Sequence, residues 1–134
     1  MKVLIDSYAW VELFLGSGKG VKVRELVDTA EEAFTPDTVL AELTRKYFRE
    51  GSSEKLVRER LATIQATSHI LTVTADVAVA ASGAYFELAD RARKKRLASP
   101  SLFDGIVLGA ARVRNAKVVT GDSHFEDLAE TIWI

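Results

Sequence analysis

Cysteine is absent from the 134 residues of this chain, which excludes disulfides, thiol nucleophiles and cysteine-based zinc sites. Such usage suits a reducing compartment, and the cytoplasm is the expected location. No charge of one sign dominates: 18 Lys and Arg stand against 19 Asp and Glu, a net charge of -1. A protein that coats nucleic acid by bulk attraction is therefore not expected, and contact with a polyanion must be local or metal-mediated. Nor is there a run of roughly 18 uncharged apolar residues, the minimum for a membrane helix; the nearest stretch, Ala75 to Ala84, is short and carries Asp76. The opening MKVLIDSYAW places Asp6 where a signal peptide would be apolar and offers no small-residue cleavage site, so no leader is expected. What is present is a 48% hydrophobic composition, enough for one domain over residues 1–134 that buries about two-thirds of its unfolded surface.

Lys2-Val3-Leu4-Ile5 is a short β-branched run ending at Asp6, the pattern of a buried parallel strand. Ser7 to Leu15 follows as a helix apolar on nearly every side, and Gly16-Ser17-Gly18-Lys19-Gly20 ends it. Val21 to Ala30 reads as an amphipathic helix, Ala33-Phe34-Thr35 as a short strand, and Pro36 opens a helix over 37–50 that Gly51 closes. Further helices are expected over 53–66, 75–95 and 103–114. Strands are expected around Ile70, Leu71 and Val73, over Lys117 to Thr120, and as an edge strand at Thr131 to Ile134. Strands alternating with helices over the whole length predict an α/β/α sandwich around a mainly parallel sheet.

Parallel sheets bind ligands beyond the carboxyl ends of their strands. That rule selects Asp6 and Asp122, each just after an expected strand, while Glu42 and Asp104 lie early in helices such strands would feed. Four carboxylates on one edge are costly alone, because two unit charges about 4 Å apart repel by roughly 4 kcal/mol at an effective dielectric of 20. A cation must offset them or protons must stay bound, and hard oxygen ligands suit Mg²⁺ or Mn²⁺.

Each acid also has a purely structural role open to it. Asp6 can cap the following helix, Asp104 can form a capping box with Ser101, Glu42 can pair with Arg45 or Lys46, and Asp122 can build an Asx-turn. Taken singly each structural role is the better reading; the coincidence at one edge favours a shared site.

Val3-Leu4-Ile5-Asp6-Ser7, Ala41-Glu42-Leu43, Phe103-Asp104-Gly105-Ile106-Val107 and Val119-Thr120-Gly121-Asp122-Ser123-His124, in that order and spacing, resemble the PIN-domain ribonucleases. The length resembles in particular the VapC-type toxins of toxin–antitoxin pairs. The resemblance implies a metal-dependent endoribonuclease with Asp6, Glu42, Asp104 and Asp122 as metal-binding acids and Ser7 and Thr120 as polar support. It also implies an RNA substrate, a homodimer, and a VapB-type antitoxin whose carboxyl-terminal segment crosses an apolar groove. The chain departs from the pattern at Gly105 and Gly109, where alanine is frequent, and at Tyr8, where a small or hydroxyl residue is frequent.

Bound Mg²⁺ can lower the pKa of a water and neutralise charge on a leaving oxygen, so no side-chain nucleophile is needed. The basic run Arg91 to Arg96 offers phosphate contacts or a solvated helix end, and His124 a phosphate contact or a turn. Gly16 to Gly20 is not a phosphate loop, since Gly20 stands where Ser or Thr is required. Tyr8, Trp10, Val11, Leu13, Phe14 and Leu15, with Tyr47 and Phe48, either pack into the core on both sides of their helix or leave apolar area exposed, and the resemblance favours the second, as a surface for antitoxin or a second subunit. Two other functions compete: an RNA-processing nuclease without antitoxin, and a phosphoacceptor signalling domain, which would want an acceptor Asp ending a mid-chain strand.

Overall fold

The computed structural model describes residues 1–134. Five strands, β1 (Lys2–Ile5), β2 (Glu32–Pro36), β3 (His69–Leu71), β4 (Lys117–Thr120) and β5 (Thr131–Trp133), form one sheet in the order β3-β2-β1-β4-β5. Every pairing is parallel, so the sheet is wholly rather than mainly parallel. Helices α1 (Ser7–Leu15), α2 (Gly18–Thr29), α3 (Asp37–Arg49), α4 (Glu54–Thr67), α5 (Ala75–Lys94) and α6 (Leu102–Arg114) flank it as an α/β/α sandwich. The central strands are buried on both faces: Val3, Leu4, Ile5, Val118 and Val119 expose nothing. This is why they read as continuous apolar runs instead of alternating ones.

Local chemistry sets the element ends. Gly51 adopts φ +86° beyond α3, and the amides of Gly51 and Ser52 bond the carbonyls of Phe48 and Tyr47, a Schellman closure. α2 starts earlier than its apolar pattern suggests: Ser17 caps it by accepting the Gly20 amide at 3.1 Å, so Gly18 to Gly20 form its first turn. Pro36 closes β2 and caps α3 rather than sitting inside it. β3 stops at Leu71 and leaves Val73 outside. No acid follows it, since Thr72-Val73-Thr74 lead into α5, so a phosphoacceptor domain finds no acceptor there.

α5 and α6 lie in close contact because α6 lacks two side chains at the crossing. A Cβ on Gly109 would meet Ala81 Cα at 2.6 Å, and one on Gly105 would meet the Ala81 carbonyl oxygen and Tyr85 Cβ at 2.8 Å. Both departures from alanine thus have a packing cause. Trp10 corrects the expectation of an interface on α1: it is fully buried, and its Nε1 donates to Thr35 Oγ1 at 3.2 Å. Phe14 is half-buried and Leu15 is 70% exposed, so only one end of that helix is left to a partner.

Candidate metal centre

Strand order runs outward from β1 through β2 to β3, then restarts on the other side with β4 and β5. The carboxyl ends of β1 and β4 therefore flank the switch point, where crevices open in parallel sheets. Asp6 follows β1 there, and its buried carboxylate accepts the Ser7 amide at 2.8 Å on Oδ1 and the Thr120 hydroxyl at 2.9 Å on Oδ2. Thr120 ends β4 and also accepts the Asp122 amide at 3.1 Å. One buried hydroxyl thus sets the side chain of one acid and the backbone of another.

Glu42 projects from α3, whose register is held by buried Val39, Leu43 and Tyr47 on the core side. Lys46 pairs instead with Glu50, and Arg45 lies over the Phe103 ring at 5.9 Å. Glu42 is therefore left without an ion pair. Asp104 does form the capping box, with Ser101 N donating to its Oδ2 at 2.8 Å. Asp122 caps the 3₁₀ turn Ser123–Phe125 through the His124 amide at 2.9 Å. Asp6, Asp104 and Asp122 thus each carry out the local job their positions suggest, and the structural and site readings are compatible.

A cleft of about 320 Å³ is lined by Asp6, Ser7, Glu12, Glu42 and Asp122 together with Tyr8, Val11, Leu43 and one basic residue, Lys46. Asp104 is not part of that lining; ligand atoms of Asp104, Asp122 and His124 lie within 4.8 Å of one another. Burial pushes the Asp6 carboxyl up to about 7, the Thr120 bond offsets part of this, and the charges of Glu42 and Asp104 add to it. Burial likewise raises Glu42, where the Ser7 hydroxyl opposes the shift and Asp104 and Asp122 reinforce it. Asp104 is raised by burial and by Asp122, against its Ser101 bonds. The four acids therefore act on one another as a single cluster, and none has a Lys or Arg ion pair.

His124 was the least legible member. Its Nδ1 faces Asp122 Oδ1 at 3.0 Å and its Nε2 faces the Ala98 carbonyl at 2.7 Å. Acceptors stand at both nitrogens, and although burial opposes it, Ala98 and Asp122 hold its pKa above the usual value. It ties two loops together and stands beside Asp104 and Asp122, within reach of the same ion. The basic run on α5 is likewise engaged within the chain. Arg91 and Lys95 donate to the Glu126 carbonyl at 3.0 and 3.3 Å, and Arg93 and Lys94 pair with Asp90. Of the run, Arg91 and Lys95 brace the loop after β4, a use beyond the phosphate contacts or solvated helix end its sequence suggests.

A parallel sheet with acids gathered at its switch point defines an α/β protein with a carboxylate cluster beyond its strand ends. A model of the PIN domain family matches residues 3–131, and the chain belongs to that family. No curated protein matches the sequence. Among solved structures, the chain is similar to VapC20 of Mycobacterium tuberculosis, described as a sarcin-ricin loop cleaving toxin, with TM-score 0.69 and 17% identity over 96% of this chain and 98% of that one. It is also similar to VapBC2 of Rickettsia felis, solved on a promoter DNA fragment, with TM-score 0.67 and 19% identity over 100% and 98%. VapBC-1 of nontypeable Haemophilus influenzae gives TM-score 0.67 and 17% identity over 100% and 97%. At these identities it is the fold that is shared.

Proposed function

We propose that this protein is a metal-dependent endoribonuclease toxin of the VapC type, hydrolysing RNA phosphodiester bonds and held silent by a VapB-type antitoxin. The observation that carries the reading is the cluster of Asp6, Glu42, Asp104 and Asp122, in which none of the acids has a Lys or Arg ion pair and only Asp122 has a histidine beside it. Such a donor set fits a hard divalent cation, Mg²⁺ or Mn²⁺, which would be held by these four residues. When bound, such an ion lowers the pKa of a water and offsets charge on the phosphodiester.

The remaining work falls to the chain itself. Thr120 and the Ser7 amide orient both oxygens of Asp6, and the capping contacts of Asp104 and Asp122 fix those carboxylates to helix starts. Rigid ligands of this kind hold the reacting groups without further ordering on binding.

Support for the antitoxin comes from the company of the fold: several similar structures are toxin–antitoxin complexes that match over nearly their full length. The groove of Val11, Phe14, Leu15 and Tyr47 beside the cleft is the surface such a partner would cover. A homodimer belongs to the same reading, with Val79 and Phe86 of α5 exposed by 76% and 69%.

The test is cleavage of total RNA by purified protein with and without Mg²⁺, beside Asp104→Asn, which keeps a capping oxygen but removes the charge. Cleavage that needs Mg²⁺ and falls by orders of magnitude in the variant is expected. Wild-type cleavage by Asp104→Asn would overturn the assignment.

A further inference from the structure

Tyr8 is the one aromatic residue in the wall of the cleft. It sits on the first turn of α1 between Asp6 and the core residues Ala9 and Trp10, yet it is only half-buried and its ring forms part of the wall shared by Asp6, Glu42 and Asp122. Two contacts hold the ring in place. On one side it rests on Gly121, where a Cβ would lie 2.5 Å from Tyr8 Cε1. At its tip the hydroxyl accepts from Lys19 Nζ at 2.9 Å, and that ammonium stands 5.3 Å from the ring centroid.

Core packing accounts for part of this arrangement only: Tyr8 rests against the core but stays half-buried, and a surface tether between a lysine and a phenol adds little stability. The pair places a flat ring, already ordered, in the wall of the cleft that holds Asp6, Glu42 and Asp122, with the exposed Lys19 ammonium at the ring's hydroxyl. Lys19 has no carboxylate ion pair, in contrast to Lys46, which is taken by Glu50. A flat π surface beside an ammonium that has no carboxylate partner matches one nucleotide unit, a base to stack and a phosphate to neutralise. The short Gly18-Lys19-Gly20 turn, capped by Ser17, is what brings the lysine over the ring.

Building on the nuclease reading, we infer that Tyr8 and Lys19 form a nucleotide subsite at the rim of the carboxylate cleft: the Tyr8 ring stacks a single-stranded RNA base next to the scissile bond, and Lys19 meets an adjacent phosphate. The subsite orders the strand over the acids and sets which nucleotide is preferred there. It performs no chemistry.

The test uses the full chain in Mg²⁺ with short single-stranded RNA oligonucleotides. Tyr8→Leu, folded by circular dichroism, should raise KM about 5- to 150-fold, the range expected for losing one base stack, with kcat within about threefold of wild type. Tyr8→Phe keeps the ring and should stay within about threefold of the wild-type KM. Lys19→Ala should lower the slope of log(1/KM) against log salt by about 0.7, one phosphate on a single strand. A folded Tyr8→Leu with wild-type KM overturns the subsite while leaving the nuclease reading intact. So does a loss confined to kcat, which would mean Tyr8 acts only by propping Gly121 and Asp122, or a loss confined to antitoxin affinity. A wild-type chain that cleaves no RNA would overturn the nuclease reading itself, and this inference with it.

Discussion

The Thr120 hydroxyl donates to Asp6 Oδ2 at 2.9 Å while accepting the Asp122 amide at 3.1 Å. Residues 114 apart in sequence are thereby joined through one buried oxygen at the centre of the acidic cluster.

Thr120→Val removes that oxygen with little change of shape. Asp6 and the Asp122 amide both lose a partner in a buried setting, and unfolding free energy should fall by about 1–3 kcal/mol at pH 6. Thr120→Ser should recover most of the loss. Urea denaturation of the three proteins checks both statements; an unchanged midpoint for the valine variant would show the bond to be idle.

Stability of the metal-free protein should decrease with rising pH. The folded Asp6 carboxyl sits near 7 against 3.8 for the free side chain, so between those values the folded state binds the extra proton. Its contribution is fully present below about pH 4 and is lost as pH climbs through about 7. Glu42 and Asp104 shift in the same direction. Urea midpoints in EDTA should therefore drop between pH 5 and pH 8, and Asp6→Asn should flatten the curve. A midpoint that rises over this interval would contradict the cluster.

Mg²⁺ should reverse that loss. At a hundredfold excess over its dissociation constant a ligand bound only by the folded state adds about 2.7 kcal/mol, and the gain should be greatest near neutral pH, where the carboxyls are ionised. Thermal melts with Mg²⁺, with Mn²⁺ and with EDTA provide the comparison, and Asp6→Asn or Asp122→Asn should blunt the response.

Gly109→Ala improves helix propensity by about 1 kcal/mol, but its Cβ would meet Ala81 backbone atoms, the Cα at 2.6 Å. Backbone cannot move aside as a side chain can, so overpacking of about 1–3 kcal/mol or more should dominate. A net loss in thermal stability is expected. Gly83 on α5 has open space around its Cβ position, and Gly83→Ala should stabilise instead.

Most of the architecture was legible along the chain because its signals are local. The apolar runs at Val3–Ile5 and Val118–Val119, Pro36 at the start of α3 and Gly51 at its end are each read from a few neighbouring residues. The start of α2 was misjudged because Gly18 to Gly20 have the composition of a break, and only the Ser17 cap makes them helical. Trp10 was assigned to a surface because an all-round apolar helix looks the same whether its second face meets solvent, a partner or Thr35.

Sequence by itself determined the four acids, their positions just beyond strands or early in helices, and the local caps that three of them form. Those are properties of spacing, set within a turn or two of chain. Tertiary structure alone decided that Asp6 and Asp122 meet across Thr120, that Asp104 joins them from α6 through its proximity to Asp122, and that Glu42 finds no ion pair. It also decided the fate of His124 and the basic run on α5, because Ala98 and Glu126 are distant backbone carbonyls with no side-chain signature. Strand order is what places these distant groups together: β1 and β4 become neighbours only when the sheet closes, and the burial that raises the Asp6 pKa exists only then.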